Sequence, residues 1–285
     1  MGATDLGQQR ITVNIVDGVA DVRLNRADKM NALDAAMFNA LIDTGERLAR
    51  EPGLRAVVMS GEGRAFCAGL DMQRFGQMAQ RAAGVEAGVG TMAKDIVART
   101  HGEANAAQHA VLVWRKLPVP VIAAVHGVAF GGGFQVALAA DMRFVAPDVR
   151  MSVMEIRWGL VPDMGGALLM RTLARADVIR ELTYTGRVFT GTEALAMGFA
   201  TRVCDDPHAE AMQAAREIAG KSPHAVRAAK RLLGVSESSD GAAVLLAESV
   251  EQAKLIGSAN QAEAVRSNLE KRAPNFSDPA PDGAG

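Results

Sequence analysis

The sequence predicts an α/β fold in which a strand-and-helix unit repeats and then gives way, past residue 206, to helices alone. Three observations carry this. Ile11 to Leu24 alternates apolar and polar residues on either side of Asp17-Gly18, a pair that readily takes the positive φ values of a tight hairpin turn. Two later passages are built alike: Ala56 to Ser60 leads into GEGRAFCAGLDM, and Val119 to Val125 leads into HGVAFGGGFQVAL. Each is a buried strand, a Gly- and Ala-rich loop and the start of a helix, as in a chain that repeats a ββα-like turn. From Pro207 onward only helical patterns occur.

After the hairpin, an amphipathic helix is expected from about Asp34 to Arg50, with Met37, Leu41, Ile42, Gly45 and Leu48 on one face and Pro52-Gly53 ending it. Gln73 to Lys116 is rich in Ala, Gly, Gln and Met and settles into a helix only at Ala106 to Arg115. Ordering so much small-residue backbone is entropically costly, so this stretch reads as a mobile lid or as a variable surface insertion. Asp141 to Val145, Arg150 to Val153 and Thr201 to Cys204 read as further strands. GLVPDMGGALLM enters a helix near Asp163, and short helices cover Asp177 to Gly198. The tail offers helices at Ala209 to Ala219, at Pro223 to Leu233 after a Ser222 cap, and at Ala242 to Lys271. Its end, APNFSDPAPDGAG, is Pro/Gly-rich and expected to fray. Residues 1–206 are thus expected to form the core, and 207–285 a helical region that docks on that core or on a neighbouring subunit.

Composition narrows the function. In 285 residues, 49% are apolar and 22% charged, ordinary globular usage with ample chain to bury a core. A net charge of −1 gives no electrostatic reason to expect nucleic acid or an anionic membrane as partner. Two cysteines, Cys67 and Cys204, are too few for a disulfide framework, and a reduced, cytoplasmic setting is expected. The N-terminal MGATDLGQQR lacks the charged lead and apolar block of a secretory leader, and no apolar run is long enough to cross a bilayer. His101, His109, His126, His208 and His224 form no metal-ligand spacing and there is no G-x-S-x-G elbow, so no metal site and no Ser/His catalysis is expected. No phosphate-binding glycine signature follows any strand. Cys67 has no basic neighbour in sequence to activate it and reads as packing.

The matched loops carry the chemistry. Gly69 and Gly131 to Gly133 remove side chains where backbone must come close to something, and a helix start follows each loop. Unpaired N–H groups at two such termini can converge on one oxygen and stabilise charge that develops there; losing one donor of this kind typically costs about 10² to 10³ in rate.

These residues resemble the crotonase (enoyl-CoA hydratase/isomerase) superfamily. AFCAGLDM is similar to its first oxyanion-hole motif and GVAFGGGFQVALAAD to its second. VRLNRADKMNAL, MEIRWGLVPDMGG and YTGRVFTGTEALAMGFATRV resemble its N-terminal, active-site and following segments, in order from about Val22 to Val203, and the closing LEKRAPNF also fits. The resemblance implies a crotonase-like spiral of ββα units with a C-terminal helical region, a homotrimer or homohexamer, and an acyl-CoA substrate with no cofactor beyond its own coenzyme A. It also implies that the N–H groups of Leu70 and Gly132 hold the thioester oxygen. Ala68, Asp71, Met72 and Gln73 would line the same loop, Asp28, Lys29 and Met30 would border the coenzyme A moiety, and Lys271 would stand near its phosphate.

The expected catalytic positions depart from the hydratase pattern. Hydratases hold water between two glutamates; here the first place is Gln135 and only the second, Glu155, keeps its carboxylate. Glutamine can orient water or a carbonyl but cannot exchange a proton at neutral pH. Asp163, eight residues after Glu155, resembles the second acid of the dienoyl-CoA isomerases, which also carry an acid at the Gln135 position. The competing role for Asp163 is a helix N-cap. Moving a double bond needs one proton removed and one returned, which a carboxylate pair can share. Double-bond isomerisation by Glu155 and Asp163, with Gln135 orienting, is therefore slightly preferred. Hydration of a 2-enoyl-CoA, as in fatty-acid β-oxidation, is the alternative, and a non-catalytic RNA-binding member of the fold is a remote one.

Overall fold

A computed structural model describes residues 9–71 and 96–279 of the chain. The hairpin forms as the alternation predicts: β1 (Ile11–Val16) pairs antiparallel with β2 (Val19–Leu24) around Asp17-Gly18, both at positive φ. Four further strands join β2 in parallel: β3 (Ala56–Gly61), β4 (Val121–Val125), β6 (Met142–Val145) and β8 (Arg202–Val203), giving the order β1-β2-β3-β4-β6-β8. Each new turn of chain thus adds its strand beside the previous one, as expected of a spiral. A smaller layer grows in step. Cys67 bridges Ala129 in β5 (Val128–Phe130), β5 pairs with β7 (Arg150–Ser152), and Met151 of β7 bridges Phe189.

Strands β3 and β4 are buried along their whole length, the pattern of parallel strands covered on both faces. Residues of one parity, including Val22, Leu24, Val57, Met59, Ala123 and Val125, enter the main core. Helices α1 (Ala35–Ala49) and α2 (Ala106–Arg115) pack there, with Met37, Leu41 and Trp114 fully buried. The other parity, Val19, Ala56, Val58, Ile122 and Ala124, meets Ala211, Ala215 and Ala219 of α7 (Pro207–Ala219). The helical region entered at residue 207 therefore begins by covering the second face of the sheet.

The helix starts have local causes. Asp34 accepts from Met37 N–H at the head of α1, and Asn105 with Gln108 forms a capping box at the head of α2. After β5 the chain turns through Gly131 (φ 51°) into α3 (Gly132–Leu138). Phe134 of α3 meets Phe189 and Phe199 edge-on, with centroids 5.6 and 5.5 Å away, which seats this short helix on the second layer. Then come α4 (Gly166–Met170), α5 (Ala176–Thr185) and α6 (Gly191–Met197).

Three expectations need correction. The helix expected to start near Asp163 starts at Gly166, after Gly165 in the left-handed conformation and with no side-chain cap, so Asp163 is not an N-cap. After α8 (Pro223–Ser236), the single helix expected over Ala242 to Lys271 is two, α9 (Gly241–Leu255) and α10 (Ala259–Leu269). Gly257 at φ 76° breaks the chain, and Ser258 restarts it by capping Gln261 N–H. The terminal stretch expected to fray is tied down through Asp278: Arg55 donates to Asp278 (2.9 Å) and to the Phe276 carbonyl (3.2 Å), and Asn260 donates to the Ser277 carbonyl (2.8 Å). Most of the expected lid, 73–95, lies outside the described residues. Among the described residues, no helix is long and apolar enough to cross a membrane.

Candidate active site

The two glycine-rich loops interlock at the C-terminal ends of β3 and β4. A Cβ on Gly69 (φ 87°) would lie 2.5 Å from the Phe130 carbonyl oxygen and 3.6 Å from the Gly132 nitrogen; one on Gly133 would lie 2.2 Å from the Cys67 carbonyl oxygen. Only glycine permits this approach. It sets Leu70 and Gly132 on the wall of one cavity of about 580 Å³. Neither N–H donates to a protein acceptor among the described residues. Gly132 opens α3, so its amide is one of the N–H groups a helix leaves unpaired.

The first loop is braced from below. Arg26 donates to the Asp71 carboxylate at 2.5 Å and to the Ala32 carbonyl at 3.1 Å. Asn31 is fully buried at φ 55°: it accepts from Arg26 N–H and donates to the Glu62 and Ala65 carbonyls. Sequence reasoning missed both residues. A charged and an amide side chain in one short segment gave no sign that they would be buried as braces. Cys67 is buried with its thiol on the Asn31 carbonyl (3.1 Å), and burial pushes that thiol up to about 12, so it stays protonated.

Glu155 sits at the head of a single 3-10 turn, Glu155–Trp158, that follows β7. It is buried (9% exposed) and lines the cavity beside the second loop, where a Cβ on Gly131 would stand 3.3 Å from its Oε1. Gln135 Nε2 donates to Oε1 at 2.7 Å, whereas the buried Oε2 accepts no hydrogen bond of standard geometry. Burial raises this carboxyl above the ordinary range, against the Gln135 donation and nearby main-chain amides, and the charge of Asp163 raises it further. Asp163 lines the same cavity. Its carboxyl is likewise pushed up by partial burial, although the residue as a whole remains exposed to solvent.

Gln135 does not face that void. Its carbonyl accepts from Met164 N–H (2.9 Å) and Gly166 N–H (2.8 Å) while its amide holds Glu155. The expected role of orienting water or a carbonyl is replaced by that of a buried strut between the carboxylate and the segment carrying Asp163. Asp28, Lys29, Met30, Ala68 and Asp71 line the cavity with Leu70, and Met72 and Gln73 lie outside the described residues. Lys271, in the left-handed conformation just past α10, does not line it. Met154, Trp158, Leu160, Val161 and Met164 add an apolar wall that the sequence did not single out. A larger groove of about 1410 Å³ runs between α2, α4 and α8, where Lys230 and Arg115 both pair with Asp141. Among the described residues, only the smaller cavity holds a buried carboxylate oxygen without a partner.

Residues 14–279 match the Enoyl-CoA hydratase/isomerase family model. The chain belongs to this family. Among its relatives, the mitochondrial Delta(3,5)-Delta(2,4)-dienoyl-CoA isomerase of Mus musculus is 31% identical over 74% of this chain, a match spanning 64% of that protein's length. Enoyl-CoA hydratase domain-containing protein 2 of Homo sapiens is 30% identical over 91% of this chain and 85% of its own. The enoyl-CoA hydratase from Bacillus anthracis superposes with a TM-score of 0.81 at 26% identity, covering 94% of this chain and 99% of that one. The hydratase/isomerase fold is thereby established, and the likeness extends to relatives named for either reaction.

Proposed function

We propose that this chain shifts a carbon–carbon double bond in an enoyl- or dienoyl-CoA thioester by proton transfer. One observation carries the reading: Glu155 and Asp163 line one cavity, while the Gln135 amide is committed to Glu155, Met164 and Gly166. The thioester oxygen would accept from the N–H groups of Leu70 and Gly132. The Glu155 carboxylate would then take a proton from a carbon of the substrate, and the electron pair left behind would spread onto that oxygen as an enolate or dienolate. Asp163, or Glu155 itself, would return a proton at another carbon of the conjugated chain, so no water is incorporated. Burial raises both carboxyls, which favours groups that can return a proton as well as remove one. Asp28, Lys29, Met30 and Ala68 would border the coenzyme A, which enters as part of the substrate.

The same reading has the protein working as a homotrimer or homohexamer. Leu245, Leu246, Val265 and Leu269 of α9 and α10 are exposed in the single chain, a surface suited to a neighbouring copy. Lys271, just past α10 and not on the cavity wall, would meet a coenzyme A phosphate outside that cavity, in its own or a neighbouring subunit.

Hydration of a 2-enoyl-CoA is the second reading, favoured by the relatives named as hydratases. Assays of 3-enoyl, dienoyl and 2-enoyl thioesters in D₂O separate the two. Double-bond movement with solvent deuterium at carbon, lost in Glu155→Gln, is expected; fast Glu155-dependent water addition would reverse the preference.

A further inference from the structure

Outside the cavity, folding gathers three side chains that the sequence keeps apart: Glu46 on α1, His109 on α2 and His101 in the turn before α2. The ligand-type atoms of the three lie within 4.8 Å of one another. His109 Nε2 is 3.1 Å from Glu46 Oε1, and the two imidazole rings stack with centroids 4.4 Å apart. The cause is Gly45. A Cβ there would fall 2.7 Å from Val113 Cγ1, so α1 and α2 approach with no side chain between them. Glu46, the next residue, is thereby brought against His109, one helical turn before Val113.

We propose that Glu46, His101 and His109 bind one divalent transition-metal ion of the Zn²⁺ class. Two imidazoles and one carboxylate, with a fourth position left to water, are a donor set that Zn²⁺ takes, and imidazole disfavours Mg²⁺ and Ca²⁺. The 3.1 Å separation of His109 Nε2 and Glu46 Oε1 suits two atoms each about 2.0–2.1 Å from a shared ion. His101 Nδ1 lies 2.9 Å from Thr100 Oγ1, and because the two imidazoles stack at 17°, one ring would turn so that both aim a nitrogen at the ion. All three side chains are half-buried, so the site is reachable from solvent. His101 also exchanges main-chain hydrogen bonds with Ala104 (2.9 and 3.2 Å), so an ion here would cross-link α1, α2 and the 101–104 turn. Phe38 of α1 and Ala107 of α2 line the cavity, and the clamp would stiffen that wall without touching the reacting carbons.

The test titrates the chelator-stripped full-length chain with Zn²⁺ by calorimetry and with Co²⁺ by visible absorption. One ion per chain, the intense Co²⁺ bands of low coordination number, and a melting temperature that rises with Zn²⁺ are expected. His101→Ala and His109→Ala should each weaken binding at least about tenfold while keeping the wild-type enoyl-CoA turnover measured in chelator. The proposal is overturned if binding does not saturate near one ion per chain, or if the double histidine variant binds as the wild type does. Should the histidine variants fail to fold, Glu46→Gln decides, because an unchanged Zn²⁺ affinity there also overturns it.

Discussion

Gln135 and Glu155 share one 2.7 Å hydrogen bond, Nε2 to carboxylate, and that nitrogen makes no second hydrogen bond among the described residues. The donation favours the ionised carboxylate and opposes the effect of burial. In Gln135→Glu the side chain keeps its length and can still accept from Met164 and Gly166 N–H, but two carboxyls then meet where one N–H···O bond stood. The Glu155 carboxyl should rise further. If it acts as the base, activity appears as pH climbs through its pKa, so the acidic limb of the kcat/KM profile should move to higher pH. A limb that stays in place would remove Gln135 as the strut of Glu155.

Glu155→Gln is expected to lower turnover by about 10² to 10⁴-fold while leaving acyl-CoA binding largely intact. The same variant should gain stability in a definite pH window. Because burial raises this carboxyl in the folded chain, the native state binds its proton more tightly than the unfolded one does. Stability therefore falls as pH rises from the ordinary carboxyl range up through the folded pKa, and stays lower above it. Glutamine carries no such charge and can still accept from Gln135. Thermal melts should show Glu155→Gln above wild type at pH 8, with the difference closing as pH falls toward 4. A variant less stable than wild type at pH 8 would contradict the burial of an ionised group.

The three glycines of the interlocked loops should respond differently to alanine. At Gly132 the added methyl meets the flexible ends of Leu33 (2.8 Å) and Met164 (2.9 Å), which can move aside. At Gly133 it meets the Cys67 carbonyl at 2.2 Å, and at Gly69 the Phe130 carbonyl at 2.5 Å with φ at 87°, where backbone must shift. Gly132→Ala should fold and lose turnover, whereas Gly133→Ala and Gly69→Ala should each cost about 2 kcal/mol or more of unfolding free energy. Urea denaturation of the purified variants tests that order, and equal stability of all three would refute the packing of the loops.

Much of this was legible in the residues. Helix α2 follows its periodicity over Ala106 to Arg115, and the shared strand and glycine-rich loop of two passages announced that the loops would meet. Other features depended on partners distant in the chain. Nothing beside Gln135 indicates that Met164 and Gly166 will saturate its carbonyl. Gly257 alone does not mark the break, because a lone glycine inside a helical pattern is often tolerated, and only the Ser258 cap decides for it. Asp163 looked like a cap because Asp precedes an apolar run, yet the left-handed Gly165 starts that helix instead. The Glu46, His101 and His109 group is invisible until α1 meets α2 at Gly45.

Arg26 and Asp71 form a mostly buried pair directly beneath the Leu70 amide, with side chains 12% and 9% exposed. Asp71→Ala leaves the guanidinium its longer contact to Asp34 (3.6 Å), so the loss of stability should fall short of the roughly 3–5 kcal/mol that a fully unpaired buried charge costs. Because Leu70 adjoins Asp71, kcat should fall along with stability. Asp71→Asn keeps an oxygen for Arg26 Nη1 and should fall less on both measures. The discriminating measurement is a double-mutant cycle: Arg26→Ala with Asp71→Ala removes both charges, so its loss of stability should be smaller than the sum of the single losses. Strict additivity would mean that the 2.5 Å contact does not couple the two residues, and the bracing of this loop would then rest on other contacts, those of Asn31 among them.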